Sequence, residues 1–222
     1  MVAENYYFKP IVRVLQQYIH AGLIGQPLFI ELNRINRGRI SGWRADAELM
    51  GGGALLEGGV HWVNFMCRLG GEVNSVLAVA PQKDYPKVAP KEDSLELMIK
   101  YADGTVGKLL HSWNISNRIG GLSMSKIYGT EGNIHFESNG IFALVLGRKK
   151  RLRVVNPLDL MGFRSMLQHF ISSVRENRPP EMALEIARRD MEIVDAAYRS
   201  LETGHFEPTK GFLTKFNMAV KY

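Results

Sequence analysis

The chain has 222 residues, with 45% hydrophobic and 23% charged side chains, which is the composition of an ordinary globular domain. No apolar run approaches the roughly 18 residues that a membrane helix needs, and Glu4 lies early in an N-terminus that has no basic-then-apolar signal pattern. The net charge of +6 is scattered apart from GRKKRLR at 147–153, which we interpret as a hairpin tip rather than a nucleic-acid site because no aromatic stacking set accompanies it. A single cysteine, Cys67, excludes an intramolecular disulfide and is typical of a reducing compartment, so we expect a cytoplasmic protein. From the short apolar runs and the scattered charge we expect no membrane or nucleic-acid partner.

The chain opens with a helix and a strand. Pro10 suits a first helical turn, Gly22 ends the helix, and apolar residues recur between them at helical spacing. Residues 27–37, PLFIELNRINR, alternate apolar and polar side chains and predict a strand. A loop with Trp43 and Arg44 leads into MGGGALLEGGVHWVN at 50–64, where we predict a helix from near Gly53.

The middle of the chain is strand-like, and the end is helical again. Apolar runs between 75 and 146 are separated by turn signals such as Asn139-Gly140 and predict an antiparallel meander. The segment FRSMLQHFISSVRENR predicts a helix with these apolar residues on one face: Met166, Leu167, Phe170, Ile171 and Val174. A second helix, ALEIARRDMEIVDAAYRSLETG, ends at Gly204. We therefore predict an α+β fold, one mainly antiparallel open-faced sheet with helices packed on one face. The uncovered face predicts a homo-oligomer or a second domain.

The glycine-rich segment carries the chemistry. In a helix, Glu57, His61 and Asn64 fall at i, i+4 and i+7 and share one stripe, beside an apolar stripe that would face the core. A carboxylate beside an imidazole raises the imidazole pKa and orients the ring, which suits a general base. The alternative is an ordinary surface pair that contributes a few tenths of a kcal/mol.

The glycines favour a functional site over that alternative. Inside a helix, Gly58 and Gly59 each cost roughly 1 kcal/mol relative to alanine. A sequence that tolerates this cost needs bare backbone, either for close packing or for a ligand. Gly51–Gly53 allow the same two explanations, or a loop with positive φ. We interpret the glycines as clearing room for a ligand beside Glu57 and His61.

Other candidates are weaker. Trp43 and Arg44 could line a substrate cleft, or Trp43 could fill a core edge. His111 and Trp113 lie on a predicted strand, where a core histidine is the better interpretation. The sequence contains no HExxH, no Cys/His cluster and no carboxylate cluster, so we predict no metal site. It also lacks the GxSxG motif that would indicate a nucleophile-elbow hydrolase.

The chain resembles the C-terminal domain of the Gfo/Idh/MocA oxidoreductases over nearly its whole length. The resemblance is carried by VAENYYFKP, WRADAELMGGGALLEGGVH, YGTEGNIHFE and AAYRSLETG. It implies a glyceraldehyde-3-phosphate dehydrogenase-like C-terminal domain and NAD(P)-dependent hydride transfer on a sugar, cyclitol or related hydroxy compound. His61 matches the proton-transferring histidine. Glu57 matches an acidic partner that is usually Asp.

The resemblance also implies that Asn5 and Tyr7 bind substrate, because their segment passes beside the substrate in relatives. Asn64 stands where an Asp is frequent, and we expect it to bind substrate together with Trp43 and Arg44 of the loop. Gly58 and Gly59, which we interpret as clearing room for a ligand, are expected beside the cofactor.

The same family begins with a nucleotide-binding domain that this sequence does not contain. Neither its GxGxxG turn nor its Glu-Lys-Pro segment occurs here. We expect residues 1–7 to be the remnant of the exit strand of that domain, and 8–222 to form a substrate-binding and oligomerisation domain. NAD or NADP is expected in the full-length enzyme, with none bound to this fragment, which should be inactive alone. The rival interpretation is a non-catalytic ligand-binding or oligomerisation module.

Overall fold

A single mixed sheet organises the structure, a computed structural model that describes residues 1–37, 41–81, 92–117 and 122–209. Across these ranges the sheet has nine strands in the order β8-β7-β6-β5-β1-β4-β3-β2-β9. The strands are β1 (Pro27–Ile35), β2 (Val73–Val79), β3 (Ser94–Tyr101), β4 (Val106–Ser112), β5 (Met124–Gly129), β6 (Gly132–Glu137), β7 (Phe142–Leu146), β8 (Arg151–Val154) and β9 (Glu207–Pro208).

Strand β1 separates the predicted meander into two antiparallel units. Strands β2, β3 and β4 pair antiparallel in chain order, and so do β5, β6, β7 and β8. Between these units lies β1, which runs parallel to β4 with Leu32 opposite Leu109, and antiparallel to β5 with Ile30 opposite Ile127. The predicted hairpins are confirmed, but β4 pairs with β1 where a simple meander would pair it with β5.

The described helices are α1 (Pro10–His20), α2 (Ala47–Met50), α3 (Val60–Gly70), α4 (Phe163–Arg175) and α5 (Leu184–Thr203). As predicted, helices cover one face of the sheet, and α1, α3 and α5 contact its strands. Alternation along the strands sets the core. Leu95, Leu97 and Ile99 of β3 are buried beneath the helices, whereas Met98 points to the uncovered face and is exposed. The α+β, open-faced fold is thereby confirmed. In the described ranges, no helix combines the length and apolarity needed to cross a bilayer.

Helix α4 turns most of its predicted apolar face outward. Of the five apolar residues predicted to share that face only Met166 is buried, and the other four are exposed: Leu167, Phe170, Ile171 and Val174. The helix packs against the first residues of the chain rather than against the sheet. His169, on its buried side, lies 5.0 Å from the Phe8 ring, centroid to centroid. The apolar stripe therefore faces outward in this chain.

Residues 1–8 form no strand. The Val2 N–H donates to the Met182 carbonyl at 3.0 Å, and Asn5–Phe8 form a 3₁₀ turn that leads into α1. A strand needs a neighbouring strand to pair its backbone groups, and the described part of the chain offers none here. The segment lies instead against α3 and α4, which brings its side chains to the start of α3.

Candidate active site

A π-helical turn, Leu55–Gly59, leads directly into α3. A π turn bonds each N–H to the carbonyl five residues earlier, and such turns are frequent at functional sites. Glu92 holds this turn in place, because its carbonyl accepts from the Ala54 N–H and its carboxylate from the Leu55 N–H, both at 2.8 Å. The spacing argument for Glu57 and His61 assumed a regular α-helix, whereas the backbone changes helix type between them.

The glycines of this segment are not alike. A methyl group on Gly53 would overlap Glu92, and one on Gly59 would lie 2.9 Å from the Leu55 side chain, so both are required for close packing. Gly51 has a φ of +71° and lies in open space. At Gly58, whose φ is not in the positive region, a methyl group fits without a close contact, since its nearest neighbour would be the His111 ring at 3.6 Å. Close packing thus explains most of the glycines, and the interpretation of a cleared ligand space applies at most to Gly58.

His61 is partly exposed and is held by the first residues of the chain. Its side chain is 35% exposed, and Nδ1 lies 2.5 Å from Oε2 of Glu4. The Tyr6 ring stacks on the imidazole with centroids 4.8 Å apart. A carboxylate at Nδ1 fixes the neutral tautomer with the proton on Nδ1 and leaves Nε2 as an acceptor. No hydrogen bond to Nε2 is formed by the described residues.

Glu57 has a different partner from the one predicted. Its carboxylate accepts from Nε of Arg44 at 2.6 Å, and the Arg44 guanidinium lies 4.5 Å from the Trp43 ring centroid. Trp43 and Arg44 are both about half exposed. The expected Glu57–His61 pair is therefore replaced by two separate pairs, Glu4 with His61 and Arg44 with Glu57. The physical reason is that a guanidinium can reach Glu57 from the preceding loop.

Two buried bases lie close to this site. His111 on β4 is only 3% exposed, and burial, with a contribution from Arg34, lowers its pKa to about 4. This confirms a core histidine, which is neutral at physiological pH. Lys9 is completely buried with Nζ 4.5 Å from the Tyr6 ring centroid, and burial lowers its pKa to about 8.

The remaining predicted residues point elsewhere. Asn5 is buried and donates to the Met161 carbonyl at 2.7 Å. The Tyr7 ring lies against the Arg68 guanidinium, 3.9 Å away. Asn64 is fully buried and donates to Asp190 of α5 at 2.6 Å. All three side chains bond or stack within the protein, so none is placed at His61, and the substrate-binding role expected for Asn64 conflicts with its complete burial.

The described residues contain no group of three or more His, Cys, Asp or Glu side chains arranged to hold a metal ion. Around His61 the structure instead assembles acid–base and aromatic groups. The sequence patterns missed Glu4, Tyr6 and Lys9 in this set.

The chain is similar to known proteins of one family. The family model of the GFO/IDH/MocA C-terminal domain matches residues 12–135, more than half of the chain. The chain belongs to the GFO/IDH/MocA family. A curated relative, levoglucosan dehydrogenase from Pseudarthrobacter phenanthrenivorans, is 26% identical in an alignment 225 residues long. The match covers 88% of this chain and 55% of that protein.

Solved structures share the fold of this GFO/IDH/MocA chain. A levoglucosan dehydrogenase in complex with NADH and levoglucosan superposes with a TM-score of 0.80 at 22% identity, covering 95% of this chain and 66% of that one. An Agrobacterium radiobacter oxidoreductase in complex with NAD+, L-tartaric acid and magnesium also gives 0.80, at 17% identity, covering 94% and 64%. The chain thus spans about half the length of its curated relative and about two thirds of these structures.

Proposed function

We propose that this chain supplies the substrate-binding and assembly part of an NAD(P)-dependent oxidoreductase acting on a sugar, cyclitol or similar hydroxy compound. The observation that carries the proposal is His61, a partly exposed imidazole whose Nδ1 is engaged by a carboxylate. With the proton held on Nδ1, Nε2 takes the proton of a substrate hydroxyl during oxidation and returns it during reduction. Glu57, which is also near the substrate, acts through Arg44.

Substrate recognition is assigned to the loop that precedes the π turn. Trp43 offers an exposed aromatic surface on which the apolar face of a sugar ring can stack, and Arg44 offers guanidinium donors to hydroxyl oxygens. The relatives support this substrate class, since solved levoglucosan dehydrogenase structures contain levoglucosan or L-sorbose. Asn5, Tyr7 and Asn64 support the site by packing instead of touching the substrate.

The cofactor, NAD or NADP, supplies the hydride acceptor when it is bound. Gly58 fits a place beside it, because the surrounding protein does not itself require a glycine there. Gly59, which packs against Leu55, is not needed for that contact. The phosphate-binding turn is absent from the sequence, so this chain alone should bind the dinucleotide weakly and should not turn over.

The test compares this chain with a longer one in which a cofactor-binding domain precedes it. Calorimetric titration with NADH and NADPH should show saturable binding only for the longer chain, and tight binding by the short chain would refute this division of labour. In the longer chain, His61→Gln should lower kcat by at least 100-fold with an unchanged fold. The matched control His20→Gln, at an exposed site on α1, should retain turnover. Near-normal kcat for His61→Gln would remove this residue from the mechanism.

We further propose that the uncovered sheet face assembles copies of the chain. Exposed apolar side chains lie along it: Phe29, Val79, Met98, Met124, Leu152 and Val154. A cavity of about 600 Å³ lined by Val79, Leu110 and Ile115 opens on the same face. Sedimentation velocity should show a dimer or larger species that Phe29→Lys dissociates, whereas Leu167→Lys on α4 should not. A monomer at micromolar concentration would contradict assembly.

A second candidate function is a ligand-binding or oligomerisation module without catalysis. The ion pair between Arg44 and Glu57 favours it, because it removes the expected acidic partner from His61. Absence of turnover in the longer chain, with binding of sugars retained, would support this alternative. For either function we propose a cytoplasmic location, in keeping with the single, buried Cys67.

A further inference from the structure

Glu4 is an unusual carboxylate because both of its oxygens are engaged near His61. It is only 8% exposed, and it precedes the 3₁₀ turn Asn5–Phe8. Oε1 accepts from the Tyr6 backbone N–H at 2.8 Å, while Oε2 lies 2.5 Å from Nδ1 of His61. A carboxylate fixed at one oxygen by a backbone donor has little freedom to leave the imidazole.

The same short segment holds the ring itself. Tyr6 stacks on the imidazole at 4.8 Å and meets the Trp62 ring edge-on at 5.0 Å. The Nζ atom of Lys9 lies 4.5 Å from the centroid of the Tyr6 ring. One continuous stretch of backbone therefore carries both the acid at Nδ1 and the ring that limits rotation of the imidazole.

We propose that Glu4, rather than Glu57, is the positioning residue of His61. It sets the tautomer with the proton on Nδ1 and stabilises the imidazolium that forms when Nε2 takes a proton. For catalysis the proposal rests on the proposed function, since a positioned His61 matters only if His61 transfers the proton. As a statement about tautomer and charge it stands on the contacts of this chain alone.

The other charged groups around His61 do not replace Glu4. From the strand side, His111 is buried and neutral at physiological pH, and Arg34 interacts with Tyr6 and His111. From the helix itself, Glu57 is the remaining acid, and its carboxylate is engaged by Arg44 at 2.6 Å. Glu4 is thus the acid in direct contact with the imidazole.

The test is NMR of the His61 imidazole nitrogens in this chain, comparing the native protein with Glu4→Gln and Glu57→Gln. Glu4→Gln should shift these signals from the tautomer with the proton on Nδ1 toward a mixture of tautomers, because the carboxylate that accepts this proton is removed. Glu57→Gln, the matched control, should leave the nitrogen signals as in the native protein, because the Glu57 carboxylate is engaged by Arg44. No change in Glu4→Gln, or an equal change in both variants, would overturn the proposal.

A third variant separates positioning from folding. Glu4→Asp keeps the carboxylate on a shorter side chain, so it should recover most of the native nitrogen signals of His61 while Glu4→Gln does not. Thermal unfolding of each variant reports whether the fold survives. If Glu4→Gln unfolds, Glu4→Asp is compared with the native chain, and a mixture of tautomers in Glu4→Asp would count against the proposal.

The longer chain with its cofactor domain then distinguishes the two proposals. Glu4→Gln should lower kcat with KM changing less. If His61→Gln in the same enzyme retains full turnover, the proposed function fails while the NMR result for Glu4 still stands. If the imidazole nitrogen signals do not change in Glu4→Gln, the positioning proposal fails whatever the turnover of the His61 variant.

Discussion

Removal of the Lys9 charge should change the pH dependence of stability in a defined direction. This side chain is completely buried, with its ammonium over the rings of Tyr6 and Trp62 at 4.5 and 5.7 Å. Burial lowers its pKa from 10.5 to about 8, against the opposing attraction of Glu137, and Arg34 lowers it further. The charged form is therefore disfavoured in the folded chain.

The sign follows from proton binding. Between pH 8 and 10.5 the unfolded chain keeps the Lys9 proton and the folded chain releases it, so the free energy of unfolding rises with pH across this window. At pH 7 the buried charge costs about 3 kcal/mol, and at pH 10 it costs about 1 kcal/mol. Lys9→Met has no such titration. Its stability relative to the native chain should therefore fall by about 2 kcal/mol from pH 7 to pH 10.

Urea denaturation followed by circular dichroism at pH 7, 8, 9 and 10 measures this difference. Lys149→Met is the control, because Lys149 is exposed and its removal should give a difference that is flat with pH. A flat difference for Lys9→Met as well, or one of opposite slope, would refute the reasoning. It would mean that the ammonium reaches water, or that it is held charged by Glu137.

Three further predictions concern packing. Gly53→Ala should lower the free energy of unfolding by about 2–3 kcal/mol, because the added methyl overlaps Glu92. Gly58→Ala should change it by less than about 1 kcal/mol, and equal losses for the two variants in urea denaturation would contradict this account. Phe136→Ala, at a fully buried ring, should cost about 3–5 kcal/mol by the same assay, and a loss below about 1 kcal/mol would show that the ring is not packed. Cys67 is buried, and burial raises its thiol pKa to about 12. A maleimide at pH 8 should therefore label Cys67 only as the chain unfolds, and rapid labelling of the native protein would contradict this prediction.

The sequence predicted those parts of the fold that depend on local patterns. Period-two alternation located the strands, and turn residues such as Asn139-Gly140 located their ends, because both signals lie within a few residues of the structure they specify. Strand order is different. The insertion of β1 between β4 and β5 depends on pairing between distant segments, which no local pattern reports.

The sequence indicated two segments that meet at His61 but not which of their side chains touch it. His61 was found from the glycine-rich motif, yet its acid, Glu4, is 57 residues away in the chain. The motif VAENYYFKP was selected for Asn5 and Tyr7, whereas the adjacent Glu4 and Tyr6 contact His61. Successive side chains of a 3₁₀ turn point about 120° apart, so a one-residue difference decides which of them meets the imidazole.

The sequence did not show which way the apolar face of α4 points. Apolar spacing shows that a helix has an apolar face but not which neighbour covers that face. In this chain the side bearing Met166 and His169 packs inward, and the side bearing Leu167 and Phe170 remains exposed.

The position of β1 also has a consequence for how the chain folds. This strand is synthesised before the other strands of the described sheet, and both of its neighbours, β4 and β5, come later. Its backbone donors and acceptors must wait for partners while the two antiparallel units form as local hairpins. Docking of those units onto β1 closes long loops and should be the slow step of folding. Until those units dock, β1 has two unpaired edges that can pair with strands of other chains. We therefore expect β1 to take part in aggregation during refolding.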